Sequence, residues 1–183
     1  MYSSKWAKEI DKEPERFPFE ITPEMYQYVY NNAIQVKEIY LAGGEPLQMK
    51  ENVNLLTHFL EINPTVKIRL NTNLSVIDTE VYRLLKQFPK ENVQWNVSVD
   101  GQLDMYEYVR WPGNWQQFYH NMIELSRDYD DVHCDVLVNI LNCENVLELV
   151  QDVLLNDLKI DENHIKFTAL TYPIQLDVRN YPT

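Results

Sequence analysis

The stretch "VQWNVSVDG", Val93 to Gly101, decides how the chain is read. Successive side chains of an extended backbone point to opposite faces, so Val93, Trp95, Val97 and Val99 fall on one side. Gln94, Asn96, Ser98 and Asp100 fall on the other. A strand covered by helices on both faces reads instead as a nearly continuous apolar run. This one has a side for a core and a side for water or a ligand. The run "VKIRLNTN" (66–73) does the same, with Val66, Ile68, Leu70 and Thr72 opposing Lys67, Arg69, Asn71 and Asn73. In "VHCDVLVN" (132–139), Val132, Cys134, Val136 and Val138 oppose His133, Asp135, Leu137 and Asn139.

Two more β-rich runs complete the set, "KEIYLAGG" (37–44) and "IKFTALTY" (165–172). Helical periodicity fills the gaps. Val53, Leu56, Phe59 and Leu60 share one face of a helix over 50–62, and Val81, Leu84, Leu85 and Phe88 one over 78–88. Trp115, Phe118, Met122 and Leu125 do so near 114–128, and Val146, Val150, Val153 and Leu154 near 145–156. Thr22-Pro23-Glu24 supplies an N-cap and a proline at the first helical position for a helix running to about Ala33. Five runs starting at 37, 66, 93, 132 and 165, with a helix in each gap, predict repeated βα units and a parallel sheet. With one apolar and one polar face per strand, the fold class expected is α/β, an open, partial βα barrel with helices outside and a polar lumen.

Composition agrees with a globular chain. Of 183 residues 45% are apolar, enough for one domain with a sizeable core. The formal charge of −12 argues against nucleic-acid and anionic-membrane partners, which favour basic faces. No apolar run approaches the ~20 residues of a membrane span and the N-terminus shows no signal-peptide pattern, so a cytoplasmic protein is expected. The two cysteines, Cys134 and Cys143, make no disulfide framework and match no metal-binding spacing. Cys134 reads as a buried thiol.

Active sites of βα barrels lie at the C-terminal ends of the strands. Those ends read Gly43-Gly44-Glu45-Pro46, Asn71-Thr72-Asn73, Ser98-Val99-Asp100-Gly101, Asn139 with Asn142, and Thr171-Tyr172-Pro173. The glycines allow close backbone approach to a ligand, or serve only a tight turn; Glu45 offers an acceptor for an ammonium group. The longest connection, "GQLDMYEYVRWPGNW" after Asp100, sets Arg110 among Tyr106, Tyr108 and Trp111, suited to gripping a carboxylate or to a surface salt bridge. Asp100, Asp104 and Glu107 read as solvated acids rather than a hard-cation site. None of His58, His120, His133 and His164 has metal-pair spacing; the last two are expected to line the barrel, the first two to lie on helix surfaces. Lys166 points toward the lumen as a structural lysine, with a Schiff-base role as the alternative.

"YLAGGEPL", "NTN", "VSVDG" and Arg110 ahead of "WPGNW" occur in the order that resembles radical S-adenosylmethionine (radical SAM) enzymes. The resemblance runs from Met1 to about Pro173, and "MYSSKWAKE" looks like the segment after the cluster cysteines in members with a twitch or SPASM extension. It implies that the "GGE" strand end holds the cofactor's amino group and that later strand ends reach its ribose and carboxylate. By position this implicates Gly43, Gly44, Glu45, Asn73, Ser98, Asp100 and Arg110, with Asn139 and Tyr172 toward the adenine. No catalytic residue and no metal ligand is assigned.

The family binds a [4Fe–4S] cluster through CxxxCxxC after its first strand, and this sequence holds no such motif. The expectation is a single partial core domain, strands two to six of six. Residues 1–20 would be a lead-in, 21–173 the βα repeats, and 174–183 the start of a further region. Its function would be S-adenosylmethionine binding without cluster chemistry, with a peptide or small-molecule substrate left open. Two rival readings stand: a non-catalytic ligand- or protein-binding domain, and an unrelated hydrolase or aldolase barrel using Glu45, Asp100 or Lys166. The "KEIYLAGG" run, lacking a first strand beside it, is expected either to pair in a homodimer or to be covered by the N-terminal segment through Trp6, Phe17 and Phe19.

Overall fold

In the computed structural model, which describes residues 22–181, every expected run forms a strand. These are β1 (Glu38–Leu41), β2 (Lys67–Thr72), β3 (Val93–Ser98), β4 (Val132–Val138) and β5 (Ile165–Ala169). They make one sheet in the order β1-β2-β3-β4-β5, each neighbouring pair parallel. The register aligns the alternation across the sheet: Leu70 sits beside Trp95, and Val97 beside Cys134. Apolar side chains of successive strands therefore share one face, and polar ones the other.

The chain divides into two compact units, Met1–Asn32 and Ala33–Thr183. In the first lies α1 (Pro23–Asn31), begun as its sequence predicts: Thr22 Oγ1 accepts from the Met25 N–H at 3.4 Å and Pro23 opens the helix. The segment with Trp6, Phe17 and Phe19, and the "MYSSKWAKE" stretch, lie outside the described residues.

In the second unit follow α2 (Lys50–Ile62), α3 (Glu80–Leu85), α4 (Leu103–Val109), α5 (Trp115–Asp128) and α6 (Val146–Glu148). The last runs straight into a π-helical segment, Leu149–Asp157, ended by the Leu158 N–H donating to the Val153 carbonyl at 2.9 Å. Helix residues Leu56, Phe59, Val81, Leu85, Phe118, Met122, Leu125, Val153 and Leu154 join Ile68, Leu70, Val93, Trp95, Val97, Cys134 and Val136 in one buried cluster. The helices thus cover the apolar face of the sheet. At β5 the cover ends, and Phe167, beside Val136 on that face, is half exposed.

Two details add to the sequence reading. The connection after Gly101 carries a helix, α4, because Tyr106 turns inward and packs on Trp115 and Phe118 at 5.5 and 4.8 Å. Residues 174–180 form two short 3-10 turns, Ile174–Leu176 and Val178–Asn180, and Ile140 N–H donates to the Leu176 carbonyl at 3.1 Å. No helix among the described residues is long and apolar enough to cross a membrane.

Candidate functional site

After β1 the chain must turn sharply, and Gly43 (φ +88°) and Gly44 (φ +58°) do so in the left-handed region that glycine tolerates best. Both face open space where a Cβ would stand, so the turn is accessible to a ligand. Glu45 follows and is tightly held. Its Oε1 accepts from Thr72 Oγ1 at 2.6 Å and from the Leu47 N–H at 3.3 Å, and its Oε2 accepts from the Asn73 N–H at 2.9 Å. A carboxylate has about four acceptor positions, so one stays available. Glu45 clamps the ends of β1 and β2 together and still presents an acceptor. Thr72 is the residue that sequence reasoning missed here, because alternation places it on the apolar face. It is buried there and also accepts from the Leu74 N–H at 2.9 Å.

At the end of β3, Asp100 is buried and both of its carboxylate oxygens are engaged. Its Oδ1 accepts from the Leu137 N–H of β4 at 3.0 Å, and its Oδ2 lies 2.6 Å from Arg110 Nη2. The sequence reading gave each residue its own contact with a cofactor; the fold pairs them with one another. Arg110 follows α4, and its buried Nε has no hydrogen-bond partner among the described residues. Arg110 lines a cleft of about 390 Å³ with Asn73, Ser75, Tyr106, Trp111, Pro112 and Gly113. Of its expected aromatic neighbours, Tyr106 belongs to the core, Trp111 is 84% exposed at the cleft, and Tyr108 is exposed away from the lining residues.

The other named residues are placed differently. Ser98 ends β3 on the polar face, half-buried. Asn139 is buried and spent on its own loop: its Oδ1 accepts from the Leu141 N–H at 2.8 Å and its N–H donates to Asn142 Oδ1 at 2.7 Å. Asn142, also buried, donates through Nδ2 to the carbonyls of Asp100 at 2.6 Å and Leu137 at 2.8 Å, bracing the ends of β3 and β4. Tyr172 is exposed beyond β5 and does not line the cleft. Structure therefore gathers Gly43, Gly44, Glu45 and Asn73 at one place, and Asp100 with Arg110 beside Asn73 at another.

The concave face forms a second cleft of about 340 Å³, lined by alternate residues of all five strands, among them Tyr40, Arg69, Asn96, Asp135 and Lys166. Lys166 lies on the lumen face as its sequence position implies. Arg69 is held by Glu38 at 3.1 Å and sits 4.9 Å from the centre of the Tyr40 ring.

A [4Fe–4S] cluster needs closely spaced thiolates. Cys134 is buried on the apolar face, where burial pushes its thiol up to about 12, and Cys143 is half-buried in the loop after β4. These two do not fit that group.

No known family profile matches the chain, and no curated protein does. Solved structures of radical SAM enzymes do match. The structure of anSMEcpe with bound AdoMet and Cp18Cys peptide superposes with a TM-score of 0.60 at 14% identity, over 83% of this chain and 46% of that one. SuiB from Streptococcus suis bound to S-adenosylmethionine gives 0.58 at 16% identity, over 83% of this chain and 35% of SuiB. SuiB bound to precursor peptide SuiA gives 0.56 at 18%, over 74% and 30%. The chain thus spans between about a third and under half the length of these neighbours. It has the partial βα-barrel fold of radical SAM enzymes, five parallel strands with helices on one face.

Proposed function

We propose that this chain is the S-adenosylmethionine-binding part of a radical SAM enzyme. The observation that carries the reading is the joined set of strand ends: an open Gly43-Gly44 turn, a clamped Glu45 with a spare acceptor, and Arg110 with an unpartnered buried Nε in the adjoining cleft. An ammonium group suits Glu45 and a carboxylate suits Arg110, the two charged ends of the cofactor's amino acid. Asn73 lies between them, Ser98 and Asp100 border the polar face, and Trp111 offers a ring at the cleft. Asn139 and Tyr172 have the least support, one spent within its loop and the other outside the cleft. Neighbours of the same fold bound to this cofactor support the reading.

In the family, a [4Fe–4S] cluster would supply the electron for reductive cleavage of the cofactor. Neither cysteine here fits that cluster, so this chain contributes binding and positioning and is inactive by itself. The polar concave cleft suits the substrate, and peptides bound to SuiB and anSMEcpe favour a peptide over a small molecule.

Calorimetry with S-adenosylmethionine tests the reading. Without a cluster to chelate the amino acid end, binding is expected to be weak, with Kd on the order of 0.1 mM. Arg110→Ala should weaken it at least about tenfold, some 1.4 kcal/mol. An unchanged affinity removes Arg110 from the site, and no binding at millimolar cofactor removes the function.

A homodimer through β1 belongs to the same proposal. Among the described residues that strand is an outer strand of the sheet, with no proline until Pro46 beyond its end, and such an edge offers backbone donors and acceptors to a second copy. Light scattering should show a dimer at micromolar concentration; a monomer at every concentration refutes it.

A further inference from the structure

Far from the strand ends just described, three potential ligands meet at the other end of the sheet. Asp131 precedes β4, His133 is its second residue, and His164 closes the 3-10 turn Glu162–His164 that leads into β5. Because Cys134 pairs with Ile165, His133 and His164 stand side by side at the start of adjacent parallel strands. Their rings stack, 4.0 Å apart and 22° from parallel, with all three residues half-buried. One ligand atom from each of Asp131, His133 and His164 can be chosen so that all three lie within 4.8 Å of one another.

We propose that Asp131, His133 and His164 form a binding site for a divalent first-row transition ion of the zinc(II) type, separate from the cofactor cleft. Two imidazoles and a carboxylate are a borderline-soft donor set, suited to such an ion and poor for magnesium or calcium, which favour all-oxygen sites. Three protein ligands leave a coordination position for water or for a group entering the concave cleft, which His133 also lines. Donor atoms around a tetrahedral zinc ion stand about 3.3 Å apart, at bond lengths of about 2.0–2.1 Å. Binding therefore requires the stacked His133 and His164 rings to turn so that one nitrogen of each converges with the Asp131 carboxylate on the ion.

The hydrogen bonding of His133 gives an independent reason. Its Nε2 lies 2.8 Å from Asp131 Oδ1 and 2.8 Å from Gln94 Nε2. A ring nitrogen has either one lone pair or one proton, so it cannot accept from the Gln94 amide while donating to the Asp131 carboxylate. Turning the Gln94 amide presents two oxygens to one proton, which serves only one of them well. A cation resolves the mismatch, since the Nε2 lone pair and the Asp131 oxygen then both point at it. Gln94 is left to orient the carboxylate or a bound water.

Cobalt(II) titration of the metal-stripped full chain, followed by its visible d–d absorption, tests the site. Saturation is expected at about one ion per chain with Kd on the order of 10 µM or tighter, and zinc(II) should displace the cobalt. His133→Gln and His164→Gln should each weaken binding at least about tenfold, and Asp131→Asn by less, while Cys143→Ser leaves it unchanged. NMR on the unmutated chain needs no folded variant: zinc(II) should shift the ring protons of His133 and His164 and spare those of His58 and His120. Absence of saturable binding, an affinity in either histidine variant unchanged from that of the unmutated chain, a thiolate-to-cobalt charge-transfer band, or undisturbed His133 and His164 resonances would each overturn the proposal.

Discussion

Trp95→Ala is expected to lower the free energy of unfolding by about 4 kcal/mol, the middle of the range for a large aromatic lost from a core. Domains of this size have about 5–15 kcal/mol in all, so the variant would keep a fraction of its stability. Trp95 is the largest fully buried side chain among the described residues, placed at the centre of the third of five strands. Its indole packs at 5.7 Å from the Tyr82 ring and 5.2 Å from the Tyr129 ring, which also face each other at 6.3 Å. Alanine would open a cavity between β3 and the helix carrying Tyr82, α3, which is only six residues long and cannot hold itself in place. Trp95→Phe sharpens the test. The indole Nε1 is buried without a hydrogen-bond partner among the described residues, and phenylalanine removes that donor while keeping a ring. Its loss should be under about half that of alanine. Urea unfolding of the three proteins decides: an alanine loss below about 2 kcal/mol, or a phenylalanine loss equal to it, would show that the aromatic cluster does not organise this core.

Much of that core was legible because strand alternation is a local property. Val93, Trp95, Val97 and Val99 announce their face whatever surrounds them, and all four are buried. The helix faces followed for the same reason, down to Leu56 with Phe59 and Phe118 with Met122. What stayed hidden depends on register or on long-range partners. His133 and His164 are thirty-one positions apart and become neighbours only because β4 and β5 pair with Cys134 beside Ile165. Thr72 was placed on the right face without its bond to Glu45, since nothing near it in sequence indicates that Glu45 will arrive from the end of the previous strand. The π-helical stretch 149–157 has the apolar spacing of an ordinary helix, and its wider turns depend on packing.

Asp100 and Arg110 are the clearest case of residues recognised singly whose relation only the fold supplies, and their separation should have a large effect. Asp100→Ala is expected to cost about 3 kcal/mol. The carboxylate is 10% exposed and the guanidinium 23%, so their attraction is only partly screened by solvent. Removing the acid strips Arg110 of its counter-charge when its Nε already lacks a partner, and leaves the Leu137 N–H without its acceptor. Removing the base instead should cost less, about 1–2 kcal/mol, because Asp100 keeps the Leu137 bond and gains access to water where the guanidinium stood. The double variant Asp100→Ala with Arg110→Met then has neither an unpaired cation nor an unpaired anion. Its loss should be about 1–2 kcal/mol smaller than the sum of the two single losses, the signature of a directly coupled pair. Denaturant unfolding of all four proteins measures this, and strictly additive losses would mean that the pair seen at 2.6 Å contributes nothing to folding. Asp100→Ala should also weaken the proposed S-adenosylmethionine binding, because an untethered Arg110 no longer holds its place in the cleft beside Asn73. A variant that lost stability yet bound the cofactor as before would assign the pair to the scaffold alone.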